Sequence, residues 1–157
     1  MGEIAAAGAR VDQRPRVLTI EWLAPLMAAG NWIPEMVEMA GGENLRGEPG
    51  RHSPWLGPGE LSAAAPDVLA VFPCGFSLER TESEASLLRD APGFADSPAA
   101  RSGRGFLADG NQFFNRPGPR LVESLEILAE MFHPELFGFG HRGVSWRPFQ
   151  PFSPGRS

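Results

Sequence analysis

The sequence predicts an α/β fold, a small parallel sheet with flanking helices, and three observations carry that expectation. Short apolar runs at residues 16–21 (RVLTIE) and 68–72 (VLAVF), with a weaker one at 104–108 (RGFLA), alternate with three segments of helical period. The run at 68–72 is continuously apolar, as a parallel strand buried on both faces requires. Gly 19 and Pro 16 among 157 residues cut the chain into short elements joined by turns, which disfavours a helical bundle.

Residues 2–14 are Ala-rich and weakly helical, and they end at Arg14-Pro15, where the residue before proline leaves the helical region. The first strand, 16–21, follows between Pro15 and Trp22-Leu23-Ala24-Pro25. Pro34 is a first-turn proline, and Ile33, Met36, Val37 and Ala40 make an apolar stripe that stops at Gly41-Gly42, giving the first helix. Residues 43–59 form a Gly/Pro-rich loop with His52 and Trp55, a brief helical turn spans 60–64, and Pro66 and Pro73 bound the second strand.

Leu78, Ala85 and Leu88 share a helix face over 77–89, with Glu79, Glu82 and Glu84 outward, until Ala91-Pro92-Gly93 closes the second helix. After the third strand, Leu121, Val122, Leu125, Leu128, Ala129 and Phe132 form the widest apolar stripe, entered through Pro117-Gly118-Pro119 and ended by His133-Pro134. Three strands alternating with three helices imply right-handed crossovers within one domain. Three segments result: the end of a longer helix at 1–14, an α/β ligand-binding lobe at 15–136, and an irregular Gly/Pro/Phe-rich tail at 137–157.

Composition removes several function classes. A net charge of -5, with both signs interspersed, gives no basic face to track phosphates, so nucleic acid is not an expected partner. A single cysteine, Cys74, excludes an internal disulfide and a cysteine-rich zinc site. The start of the chain lacks a positive stretch followed by an apolar one, the mark of an export signal.

Cys74 lies between a strand and a helix, where thiols can become nucleophiles, yet His52, His133 and His141 fall in a loop, at a helix stop and in the tail. No enzyme is expected, and Cys74 reads as a small buried apolar residue. His52 is the one candidate axial ligand for cobalt or iron, although a histidine beside Ser53-Pro54 is equally a solvated loop residue, and no metal site is expected.

In open α/β sheets ligands bind beyond the carboxyl ends of the strands. The unusual residues collect there: Glu21 and Trp22 after the first strand, Pro73, Gly75 and Phe76 after the second, and Asn111, Phe113, Phe114 and Arg116 after the third. Aromatic and amide side chains on proline-locked loops suit a broad planar ligand, although such aromatics can also simply plug the end of a sheet.

Residues 18–26 (LTIEWLAPL), 30–42 (GNWIPEMVEMAGG), Pro66-Asp67-Val68, Pro73-Cys74-Gly75-Phe76 and 115–120 (NRPGPR), closing on His133-Pro134, resemble the C-terminal lobe of cobalamin-binding, ABC-transporter-type substrate receptors. The resemblance spans residues 14–137. It implies a single Rossmann-like lobe of a two-lobe substrate-binding protein, with cobalamin or a related corrinoid as ligand rather than as catalytic cofactor. It further implies that Trp55 lies against the corrin, that Glu60 docks onto arginines of an ABC transporter permease, and that an N-terminal lobe or a second copy completes the cleft. Heme or an iron chelate is the variant ligand, and a stand-alone or vestigial interaction domain is the alternative. The resemblance implies a periplasmic or extracytoplasmic location. Without an export signal, the chain is cytoplasmic if Met1 is the true start.

Overall fold

The computed structural model describes residues 1–149. Among them the strands are β1 (Arg16–Leu23), β2 (Leu26–Ala28), β3 (Glu43–Asn44), β4 (Val68–Val71), β5 (Gly105–Ala108) and β6 (Trp146–Pro148). The helices are α1 (Gly2–Gly8), α2 (Ile33–Met39), α3 (Glu60–Ala64), α4 (Leu78–Glu84), α5 (Ser86–Arg89), α6 (Pro98–Ser102), α7 (Gly110–Phe113) and α8 (Leu121–Phe132).

One mixed sheet runs β2-β1-β4-β5-β6, and β3 joins β1 on the edge it shares with β2. The central three strands are parallel, with Val17 opposite Val68, Ile20 opposite Val71 and Val71 opposite Leu107. Side-chain alternation divides their apolar residues between two cores. Val17, Val68, Ala70, Phe72, Phe106 and Ala108 pack toward α1, α2 and α8. Leu18, Ile20, Leu69, Val71 and Leu107 pack toward α3, α4, α5 and α6. Burial on both faces is why these strands read as apolar runs rather than alternating ones.

The expected α/β class and parallel centre are present, with several elements differing from the sequence expectation. The first strand continues through Trp22 to Leu23 and turns at Ala24–Pro25 into β2, an antiparallel partner that the expectation stopped short of. The second helix divides at Ala85 into α4 and α5, and α6 is an additional helix capped by the Ser97 hydroxyl. At the start, the helix ends at Gly8 rather than Arg14, because the Arg14 guanidinium turns back onto the Glu38 and Gly42 carbonyls at 2.7 and 3.0 Å.

The tail expected to be irregular from residue 137 contains β6, antiparallel to β5, with Trp146 and Phe149 buried. Residues 150–157 of that expectation lie outside the described residues. Polar contacts fix the segment, which is why no apolar period announced it. Glu130 of α8 is buried and its carboxylate accepts the Phe139 N–H at 2.5 Å, the His141 N–H at 3.3 Å and the Trp146 indole N–H at 2.7 Å. One turn earlier Glu126 meets the His141 ring at 2.7 Å.

Replacing Glu130 by Ala strands those donors, and we expect a stability loss of about 1–3 kcal/mol in denaturant titration. Hydrogen exchange should accelerate at Phe139 and His141 before the rest of the chain. An unchanged midpoint with unchanged protection would contradict the anchoring role.

Candidate functional site

Because β1, β4 and β5 are parallel, their carboxyl ends share one edge, and backbone contacts lock the loops that leave them. The Cys74 N–H donates to the Glu21 carbonyl at 3.0 Å, and the Asn111 N–H donates to the Phe76 carbonyl at 3.1 Å. Gly110 opens α7 directly against the end of β4, where a Cβ would collide with the Pro73 and Phe72 carbonyl oxygens.

The loop around residue 53 completes the edge by continuing β2. Ala28 and Leu56 N–H groups donate to the Pro54 and Leu26 carbonyls at 3.0 and 2.9 Å, and Met27 bridges Trp55. Gly30 permits this approach, since a Cβ there would stand 2.6 Å from the Arg51 carbonyl oxygen. Trp55 is consequently held on a fixed backbone with 59% of its surface exposed.

Glu21 is the polar centre of the edge. Its carboxylate accepts the Ser53 hydroxyl at 2.5 Å and the Cys74 thiol at 3.1 Å. Desolvation, then the hydrogen bond to Glu21 and its negative charge, push the Cys74 thiol up to about 12. Cys74 is exposed, contrary to the expectation of a buried residue, because Pro73 is the last buried residue of that strand and the chain leaves the sheet there.

Two shallow cavities of about 220 Å³ flank Trp22. Glu21, Met27, Trp55 and Cys74 line one, while Phe76, Arg80 and Leu87 line the other. Trp22 meets Phe76 edge-on at 5.6 Å, and the Arg80 guanidinium lies 3.9 Å above the Phe76 ring. Met27 and Arg80 were not among the expected site residues. Met27 sits in the unforeseen hairpin, and Arg80 lies on the first turn of α4, where the sequence reading named only glutamates as the outward residues.

Glu21, Trp22, Trp55 and Phe76 thus come together, with Pro73 buried beneath them and Gly75 exposed at the turn. Asn111 on α7 and Arg116 on the loop that follows it are exposed. Phe113 and Phe114 do not face the edge as expected. Both are buried, with Phe114 stacked on Phe72 at 4.1 Å and Phe113 packed among α8 side chains, because α7 turns them inward. Glu60 accepts the Gly57 N–H and pairs with Arg46 at 3.8 Å, so its carboxylate braces the start of α3.

His52 is exposed, and buried His133 makes a ring contact of 2.9 Å with the Gly41 carbonyl. Among the described residues no group of three His, Cys, Asp or Glu side chains could hold a metal ion. A roomier concavity, about 690 Å³, opens at the opposite end of the sheet between Gln13, Asp67, Arg104 and Glu135. Its arginines are already committed, Arg14 as described and Arg104 to the Phe132 carbonyl at 2.9 Å, and the rings that line it, Phe132 and His133, are themselves buried.

The Cys74 environment has a measurable consequence. With the thiol raised to about 12, only about one thiol in ten thousand is ionised near pH 8, so iodoacetamide labelling should be slow and accelerate only as pH rises toward that value. Glu21→Gln removes the charge that disfavours the thiolate, and labelling near pH 8 should speed up. Rapid labelling of the parent near pH 6 would contradict this and revive a nucleophilic role.

No protein-family model matches the chain, and no curated protein matches it. Solved structures do. The periplasmic heme-binding protein BhuT, in complex with two hemes, is 29% identical with a TM-score of 0.66 over 86% of this chain and 51% of its own. The periplasmic heme-binding protein RhuT from Roseiflexus sp. RS-1, in apo form, is 28% identical with a TM-score of 0.68 over 85% and 51%. Staphylococcus aureus IsdE complexed with heme shares the fold at 18% identity, with a TM-score of 0.71 over 84% and 52%. The chain spans about half the length of the solved proteins it matches. Its sheet of mostly parallel strands flanked by helices is the architecture of one lobe of a periplasmic binding protein.

Proposed function

We propose that this chain is the ligand-binding lobe of an extracytoplasmic receptor for a planar tetrapyrrole, heme in preference to a corrinoid, that delivers to an ABC importer. The observation that carries the reading is the aromatic shelf. Trp22 and Trp55 stand on fixed backbone on either side of Met27 and the Glu21 carboxylate, and a flat macrocycle stacked there gains apolar burial with little loss of side-chain freedom.

The likeness to heme-binding BhuT and RhuT favours heme, the variant ligand of the sequence analysis, over the cobalamin that its motifs suggested. A binding rather than catalytic role is consistent with a thiol raised to about 12 and with His133 and His141 engaged elsewhere. Asn111 on α7 and Arg116 on the loop that follows it are proposed to reach the ligand rim. The facing wall would come from a second lobe or a second copy. Glu60, exposed over part of its side chain, is proposed as the contact to the permease.

Titration with hemin should quench tryptophan fluorescence, and more tightly than cyanocobalamin does. Trp22→Ala and Trp55→Ala should each weaken hemin binding by about 1–3 kcal/mol, the cost of losing an aromatic anchor, while Trp32→Phe, at the start of α2 and packed against the core, leaves it unchanged. Hemin affinity unaltered in both alanine variants would overturn the proposed edge.

A further inference from the structure

Four arginines lie over aromatic rings among the described residues, and Arg80 is the closest stacked of them and the one that lines the cavity beside Trp22. It lies on the first turn of α4, where its own N–H donates to the Ser77 hydroxyl at 3.2 Å. Its guanidinium rests 3.9 Å above Phe76, a buried ring itself braced edge-on by Trp22 at 5.6 Å. Phe76 is fixed in turn through its backbone, donating to the Pro73 carbonyl and accepting from Asn111, each at 3.1 Å.

None of the ion pairs among the described residues involves Arg80. Glu79 and Glu82 on the same helix turn instead to Arg147, at 3.9 and 2.8 Å. Glu84 lines the cavity of Arg80 and Trp22 but does not pair with it.

A guanidinium stacked on a ring keeps its edge N–H groups free, and that planar edge matches a carboxylate bidentately. A corrinoid whose periphery is neutral amides gains no charge pairing from it. We infer that Arg80 anchors a carboxylate of the bound macrocycle, so that the chain selects planar tetrapyrroles bearing free carboxylates. The inference rests on the tetrapyrrole reading above, deepens it to a ligand class, and assigns its selectivity to one side chain.

The test titrates hemin and hemin dimethyl ester, both held monomeric in the same dilute detergent, into the full chain and its Arg80 variants with tryptophan fluorescence as readout. The parent should bind hemin about tenfold more tightly than the ester, the scale of one charge-assisted pair at a wetted rim. Arg80→Gln should lower hemin affinity to that of the ester and leave ester affinity unchanged, with Arg80→Lys between. Arg80 is exposed, so these variants should unfold at the parent's midpoint, and Arg80→Lys carries the test if Arg80→Gln does not. Equal weakening of both ligands by Arg80→Gln, or none, overturns the anchor while leaving the tetrapyrrole reading standing. If the parent binds neither hemin nor its ester, the reading falls and the anchor with it.

Discussion

The parallel alignment of β1, β4 and β5 is the constraint on which the candidate site depends. Parallel strands need long crossovers, and those crossovers bring helices onto both faces of the sheet. With the apolar residues of the central strands other than Trp22 committed to one of two cores, a one-residue slip of any strand would exchange its two buried sets. Register is therefore held tightly, and with it the depth at which Glu21, Pro73 and Asp109 emerge from the sheet. Three loops separated by dozens of residues in sequence meet at one edge because their strands end together.

Rigidity at that edge comes from close backbone approaches rather than from large side chains. Gly30 lets the 47–56 loop seat against β2, and Gly110 lets α7 lie against the end of β4, so both loops are pinned by carbonyls that any larger residue would strike. Asp109 caps α7 by accepting the Gln112 N–H at 2.9 Å, which turns Phe113 and Phe114 into the core. The aromatic residues left facing outward, Trp22 and Trp55, sit on ladder-bonded backbone. A shelf of this kind loses little entropy when a flat ligand settles on it.

The legible part of the fold was that governed by apolar patterning. Residues 68–72 and 121–132 declared a buried strand and an amphipathic helix because burial there is continuous or periodic, and the structure has β4 and α8 at those places. Elements held by polar or long-range contacts left no such trace. β2 is three residues long and is held between β1 and the loop at 54–56, and β6 depends on the buried Glu130 carboxylate. Position in a loop suggested that Phe113 and Phe114 face outward, whereas the turn of α7 decides their direction. For the site, proximity to the strand ends was readable for Glu21, Trp22 and Phe76. The pairing of Cys74 with Glu21 and the stack of Arg80 on Phe76 depend on side-chain directions that spacing does not encode.

The two ends of the sheet offer a clear contrast, an aromatic edge with shallow cavities against a roomier base lined by charged residues and prolines. Amide chemical-shift mapping with gallium protoporphyrin, a diamagnetic analogue of heme, distinguishes them residue by residue. Binding at the strand carboxyl ends predicts the largest shifts at Trp22, Trp55, Cys74 and Phe76, with Asp67, Arg104 and His133 unmoved. Shifts concentrated at Asp67, Arg104 and His133, with the tryptophans of the edge unchanged, would contradict the account.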